Sequence, residues 1–84
     1  MKVQVTQQHI DSGVRGSCTS DPICLALKDL GFIRPWVGVS YIYVSGRNGG
    51  FMKECATLPP EAYEFLKHYD NGLPCDPLTL EIEF

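Results

Sequence analysis

The stretch Arg15-Gly16-Ser17-Cys18-Thr19-Ser20 concentrates more chemistry than any other part of the 84-residue chain. It holds one fixed positive charge, three hydroxyls, a thiol and a glycine that frees the backbone. It then runs into Asp21-Pro22, where Asp as N-cap and Pro at the first helical position start a helix. Such a combination can form an anion or phosphate cradle, because a helix N-terminus offers unpaired N–H groups and the positive end of its dipole. No Gly-Lys-Ser/Thr follows the glycine, so this is not a Walker motif. Asp21 works against the cradle: as the cap it takes the amides an anion needs and adds a like charge. A plain capping loop is the competing reading.

A second candidate gathers the rings of Trp36, Tyr41, Tyr43 and Phe51 near the cations Arg34, Arg47 and Lys53. Rings that stack a base beside cations that meet a phosphate would make a nucleotide pocket, and the same rings would make a hot spot for protein. Tyr41 and Tyr43 share one strand face, so if Ile42 and Val44 pack inward the tyrosines form an outer apolar patch that needs a partner. Packing of the rings into the core is the alternative. The residues expected to bind ligand are Arg15, Ser17, Thr19, Ser20, Trp36, Tyr41, Tyr43 and Arg47.

Four cysteines and two histidines raise the question of a metal, and their spacing answers against it. There is no Cys-x-x-Cys or His-x-x-x-His pair, so neither a metal nor any other cofactor is expected. Cys24 reads as a small core residue. Cys18 lies just before a helix N-terminus, which favours a thiolate, but its only available bases are His9 and His68, both at ordinary positions on amphipathic helices. Glu61, Glu64, Glu81 and Glu83 decorate a helix face and a terminal strand, so no catalytic residue is assigned and the chain is not read as an enzyme. The cysteines allow three disulfide pairings, and without a secretory leader reduced thiols and a cytoplasmic location are expected.

Composition fits a folded protein: 44% apolar and 20% charged residues suit one globular domain over residues 1–84. A net charge of −3 with the seven basic residues scattered excludes duplex nucleic acid as the expected partner, and no apolar run is long enough for a membrane span. A chain this short buries only about 60–65% of its unfolded surface, so homo-oligomerisation is expected.

The elements that would position these residues follow from periodicity. Val3 and Val5 alternate with polar residues as a strand, and Thr6 caps a short helix that Gly13 stops. Ile23, Ala26, Leu27 and Leu30 form the buried stripe of a helix ended by Gly31. Residues 36–44 are the strongest strand, turning through 45–50 to return over 51–56. Pro60 opens a helix that buries Ala62, Phe65, Leu66 and Tyr69 and closes at Asn71-Gly72, and Leu78, Leu80, Ile82 and Phe84 alternate as a last strand. The fold class expected is α+β, a four-stranded, mainly antiparallel sheet with two to three helices packed on one face, the two terminal strands neighbouring through Lys2 and Gln4 against Glu81 and Glu83.

The string Val5-Thr6-Gln7-Gln8-His9-Ile10-x-x-Gly13, followed by Ser17-Cys18-x-x-x-Pro22-x-x-Leu25-Ala26-Leu27, resembles small uncharacterised proteins encoded by bacteriophages and prophages. The resemblance continues through Leu58-Pro59 and Tyr69-Asp70-Asn71-Gly72-x-Pro74. That group carries a second cysteine three residues after the first, where this chain has Asp21, which weakens a shared metal or redox pair. The resemblance implies an accessory protein in the host cytoplasm that opposes bacterial defence stoichiometrically. It would do so by sequestering a nucleotide-like immune signal in an oligomer or, alternatively, by occluding a host defence effector as an anti-CRISPR does. A cysteine-dependent enzyme using Cys18 is the third reading.

Overall fold

The pattern of buried residues in β1 (Lys2–Val5) is the alternation its sequence dictates, with Val3 and Val5 inside and Lys2 and Gln4 outside. In the computed structural model, which describes residues 1–84, this strand is followed by α1 (Gln7–Ser12), α2 (Pro22–Asp29), β2 (Phe32–Ile33), β3 (Trp36–Val37), β4 (Tyr41–Val44), β5 (Gly46–Arg47), β6 (Glu54–Thr57), α3 (Pro60–Asp70) and β7 (Leu78–Glu81). The chain is α+β, and all its strand pairs are antiparallel. The terminal strands are neighbours as their charges suggest: Lys2 lies opposite Glu81 and Gln4 opposite Thr79.

The single four-stranded sheet does not form. The strands divide into three small sheets, β1-β7, β2-β5 and β3-β4-β6. Helices therefore do not share one face of one sheet; α2 instead packs on β1, β2 and β3 together, with α1 beside it. The divisions have local causes. Between β2 and β3, Arg34 turns the chain at φ 47 and Pro35 withholds an N–H from any ladder. The run expected as one strand over 36–44 reverses at Gly38, whose N–H donates to the Tyr41 carbonyl at 2.9 Å, so Trp36 pairs with Tyr43 and Val37 with Ile42. A Cβ at Gly38 would stand 2.6 Å from the Trp36 ring, so glycine lets the indole lie across the turn.

The hairpin between β4 and β6 does form, with Tyr43 opposite Cys55, but Phe51, Met52 and Lys53 are not part of its return strand. Residues 46 and 47 fold back to pair with β2, which draws the turn away and delays the return to Glu54. Leu30, expected in the buried stripe of α2, ends the helix as its C-cap and is exposed. The stripes of α2 and α3 are otherwise as the spacing predicts. One core of 17 buried residues draws on all three sheets and on both long helices, so the separate sheets are held by shared packing instead of continuous hydrogen bonding.

Candidate functional site

The loop after α1 is built by its own hydroxyl. Ser17 Oγ accepts from the amides of Thr19 (3.3 Å) and Ser20 (3.0 Å), and the Val14 N–H donates to the Ser20 carbonyl at 2.9 Å. Gly16, at φ 74, donates its N–H to Asp70 Oδ1 at 2.9 Å, which ties the loop to the end of α3. The Cys18 carbonyl accepts from Val37 N–H at 2.8 Å and from the Cys24 thiol at 3.1 Å, pinning the same loop to β3 and α2. Three elements thus converge, and between the 16–18 loop, the 36–39 segment and α3 they leave a cleft of about 470 Å³. Its walls include Ser17, Cys18, Asp21, Trp36, Leu66, Lys67 and Asp70.

Charge in this cleft runs opposite to a phosphate cradle. Asp21 caps α2 through Oδ1, which accepts the Cys24 amide at 2.8 Å, yet the residue is only 3% exposed. Burial pushes its carboxyl up to about 6, the Cys24 amide pulls the other way, and the neighbouring Asp70 charge raises it further. Lys67 is the one cation on the walls, against the two carboxylates. The amides that would hold an anion are engaged by Ser17, Asp70 and Asp21.

The residues singled out from the sequence are distributed over separate places. Ser17 and Trp36 line the cleft. Thr19 and Ser20 bond within the loop, and Arg15 turns away to α3, where Nε donates to the Tyr69 carbonyl at 3.1 Å and the guanidinium sits 5.6 Å from the Tyr69 ring centroid. Tyr41 and Tyr43 lie on the outer face of the β3-β4-β6 sheet, with Ile42 and Val44 inside as the alternation requires. Arg47 is held elsewhere, paired with Glu54 at 3.0 Å and lying over the Phe32 ring. Of the residues singled out, only Ser17 and Trp36 are therefore brought to one place.

That outer face is an aromatic ladder. Trp36 and Tyr43 have ring centroids 5.5 Å apart, and Tyr43 and Tyr41 are 6.3 Å apart. The three side chains remain 42%, 46% and 50% exposed for Trp36, Tyr43 and Tyr41 respectively, so they are not absorbed by the core.

Sequence reading missed a third cluster. Thr6 Oγ1 lies 3.1 Å from His9 Nδ1, and His9 Nε2 lies 2.5 Å from Asp29 Oδ2, an order of groups resembling a nucleophile-base-acid relay. The Thr6 backbone N–H, however, donates to the same Nδ1 at 3.0 Å. The ring lone pair is thereby occupied, the proton belongs on Nε2 facing Asp29, and nothing is left on Nδ1 to take a proton from the hydroxyl. The His9 amide also meets Thr6 Oγ1 at 3.4 Å, so the arrangement is a capping box with histidine in place of Glu or Gln. Neither His9 nor His68 lines the cleft that contains Cys18. No three His, Cys, Asp or Glu side chains converge as metal ligands, and all four cysteines are free thiols.

Fold and site together define a small α+β protein with an open aromatic sheet face beside an acidic cleft. No helix is long and apolar enough to cross a membrane. Comparison with protein-family profiles, curated proteins and solved structures returns no match to this chain.

Proposed function

We propose that this chain is a stoichiometric binding protein that docks another protein on its Trp36, Tyr41 and Tyr43 face. The observation that carries this reading is the ladder itself: three large rings, packed on one another and nearly half exposed, on the free face of a sheet whose other face is in the core. Rigid aromatic anchors of this kind dominate protein interfaces, because they bury much area for little lost conformational freedom. Phe51, Val39 and Met52, the three most exposed large apolar residues, add to the apolar character of the segments joining these strands. The resemblance to phage-encoded proteins supports a host defence effector as the protein occluded, in the host cytoplasm.

Replacing both tyrosines by threonine keeps strand preference while removing the rings. Wild-type protein is expected to retain a specific partner from host lysate that the Tyr41→Thr/Tyr43→Thr variant loses, with thermal stability little changed. Retention of the same partner by the folded double variant would end this reading, as would wild type that enriches nothing above a tag control.

A second reading, capture of a nucleotide-like immune signal by an oligomer, is favoured by one observation: Ser17 and Trp36 share a cleft. Asp21 and Asp70 repel phosphate there, so a partner copy would have to supply the cations. Calorimetry with cyclic and ADP-ribose-derived nucleotides, together with light scattering, tests it; a monomer with no heat of binding would exclude it.

A further inference from the structure

We infer that the aromatic face is self-complementary and that a second copy of this chain covers it in the free protein, the Phe51-Met52-Lys53 segment of each copy seated against the cleft beside Trp36 of the other. This rests on the reading of that face as an interface and names its occupant before another protein displaces it. The face is divided by size. Pairing sets Trp36, Tyr43 and Cys55 in one row across the β3-β4-β6 sheet and Tyr41 and Thr57 in the next. All five are exposed, whereas Val37, Ile42 and Ala56 are buried, so the five stand on the outer side. Large rings thus occupy the β3-β4 half and small side chains the β6 half. A two-fold axis lying in the interface and running along the strands exchanges the two sheet edges. Trp36 of one copy then falls on Cys55 and Thr57 of the other, and the tyrosines interleave near the axis. Large meets small on both sides, as stacked sheets with interdigitating faces require.

The same rotation carries the 51–53 segment, which leads into β6, to the partner's β3 edge, where the cleft lies. Segment and cleft match in polarity and in charge. Phe51 is 78% exposed and Met52 scarcely less, an apolar knob that its own chain leaves in water. Trp36, Val37 and Leu66 give the cleft apolar walls, and about 470 Å³ admits a large side chain. Lys53 is exposed and in no ion pair, and Asp70 on the cleft wall is exposed and in none either. Lys67 offsets one of the two wall carboxylates, so the cleft keeps a net negative charge that Lys53 complements. Tilts of 52° and 47° between neighbouring rings break the flat platform on which successive bases would stack, and open notches that side chains fill. A chain this small gains in addition from sharing a core, since it buries little of its surface alone.

Sedimentation velocity of the full chain across a dilution series tests this. Wild type should pass from monomer to dimer and go no further, because reciprocal docking about a two-fold closes the assembly. Phe51→Ser and Thr57→Arg alter exposed positions, so both should keep the wild-type circular dichroism while raising the dimer dissociation constant at least about tenfold. Lys53→Glu should raise it about threefold or more, and by less in an Asp70→Asn background, which keeps an oxygen for the Gly16 amide. Wild type that stays monomeric at every concentration, or that grows past the dimer, would overturn the inference. So would a dimer indifferent to Phe51→Ser or to Thr57→Arg, or a Lys53→Glu loss that is the same with and without Asp70. Partner capture from lysate is run at dilutions where the wild type is monomeric, which keeps the two readings apart. A chain that never dimerises yet retains a partner through its tyrosines sinks the dimer alone. A chain that dimerises as described yet captures nothing above a tag control when diluted sinks the docking reading alone.

Discussion

Tyr69 Oη donates to the carbonyl of Ile10 at 3.0 Å, joining α3 to α1 across 59 positions of sequence. The same ring stacks on Phe65 with centroids 6.2 Å apart and carries the Arg15 guanidinium on its face, so one side chain fastens the loop, the first helix and the last helix together. Burial raises the phenol above its ordinary range, which keeps it a donor throughout the neutral region. Tyr69→Phe should cost about 1–2 kcal/mol by leaving a part-buried carbonyl unpaired. Tyr69→Ala should cost about 3–5 kcal/mol by opening a cavity as well. Urea midpoints measure both, and a Tyr69→Phe midpoint equal to wild type would show that the bond contributes nothing.

Asp21 predicts an acid-side dependence of stability. Its carboxyl is held at about 6 in the fold against 3.8 in the ordinary state, with burial as the main cause and Asp70 adding to it. The native state therefore binds this proton more tightly than the unfolded chain, and stability falls as pH rises between about 4 and 6. The loss from this one group amounts to about 3 kcal/mol, complete above pH 6 and absent below 4. Asp21→Asn keeps an acceptor for the Cys24 amide without the buried charge, so it should flatten this part of the profile and match or exceed wild type at pH 7.5. Parallel pH profiles for the two proteins would refute it.

Much of this fold was legible because α2, α3 and the terminal strands carry strong periods with Pro at both long-helix starts. The break within 36–44 was not, since Trp36, Val37, Val39 and Tyr41 are all strand formers and the demand that makes Gly38 a turn is clearance for an indole ring, a three-dimensional requirement. The cleft was half legible. Ser17 and Trp36 stood out by type, whereas Lys67 and Asp70 carry nothing in type or spacing that sets them apart from the other polar residues of α3. Asp70 joins the site through Gly16, 54 positions away, and no local spacing encodes such a contact.

Two glycines of the β5 turn should respond in opposite degrees. A Cβ on Gly46 would fall 1.9 Å from the Gly50 carbonyl oxygen, backbone that cannot step aside without breaking the Arg47–Gly50 bridge. Gly46→Ala should therefore cost about 3 kcal/mol or more. Gly49 has open space around it and only its φ of 83 to defend, so Gly49→Ala should cost about 1 kcal/mol. Thermal melts of the pair check this, and equal losses would mean that steric contact is not what selects glycine at 46.

The four thiols should separate by reactivity. Cys18 and Cys55 are exposed, Cys75 is partly covered with its thiol raised by burial, and Cys24 is fully buried. Burial pushes the Cys24 thiol well above its ordinary range, the Asp21 charge adds to this, and its S–H is engaged with the Cys18 carbonyl at 3.1 Å. An alkylating reagent at pH 8, followed by intact mass, should label Cys18 and Cys55 first, Cys75 more slowly, and Cys24 only as fast as the protein opens. In denaturant without reductant all four should react, as four free thiols require. Cys24 sits at the junction of α2, the loop and the Pro35 carbonyl, so its labelling rate becomes a measure of how often the cleft comes apart.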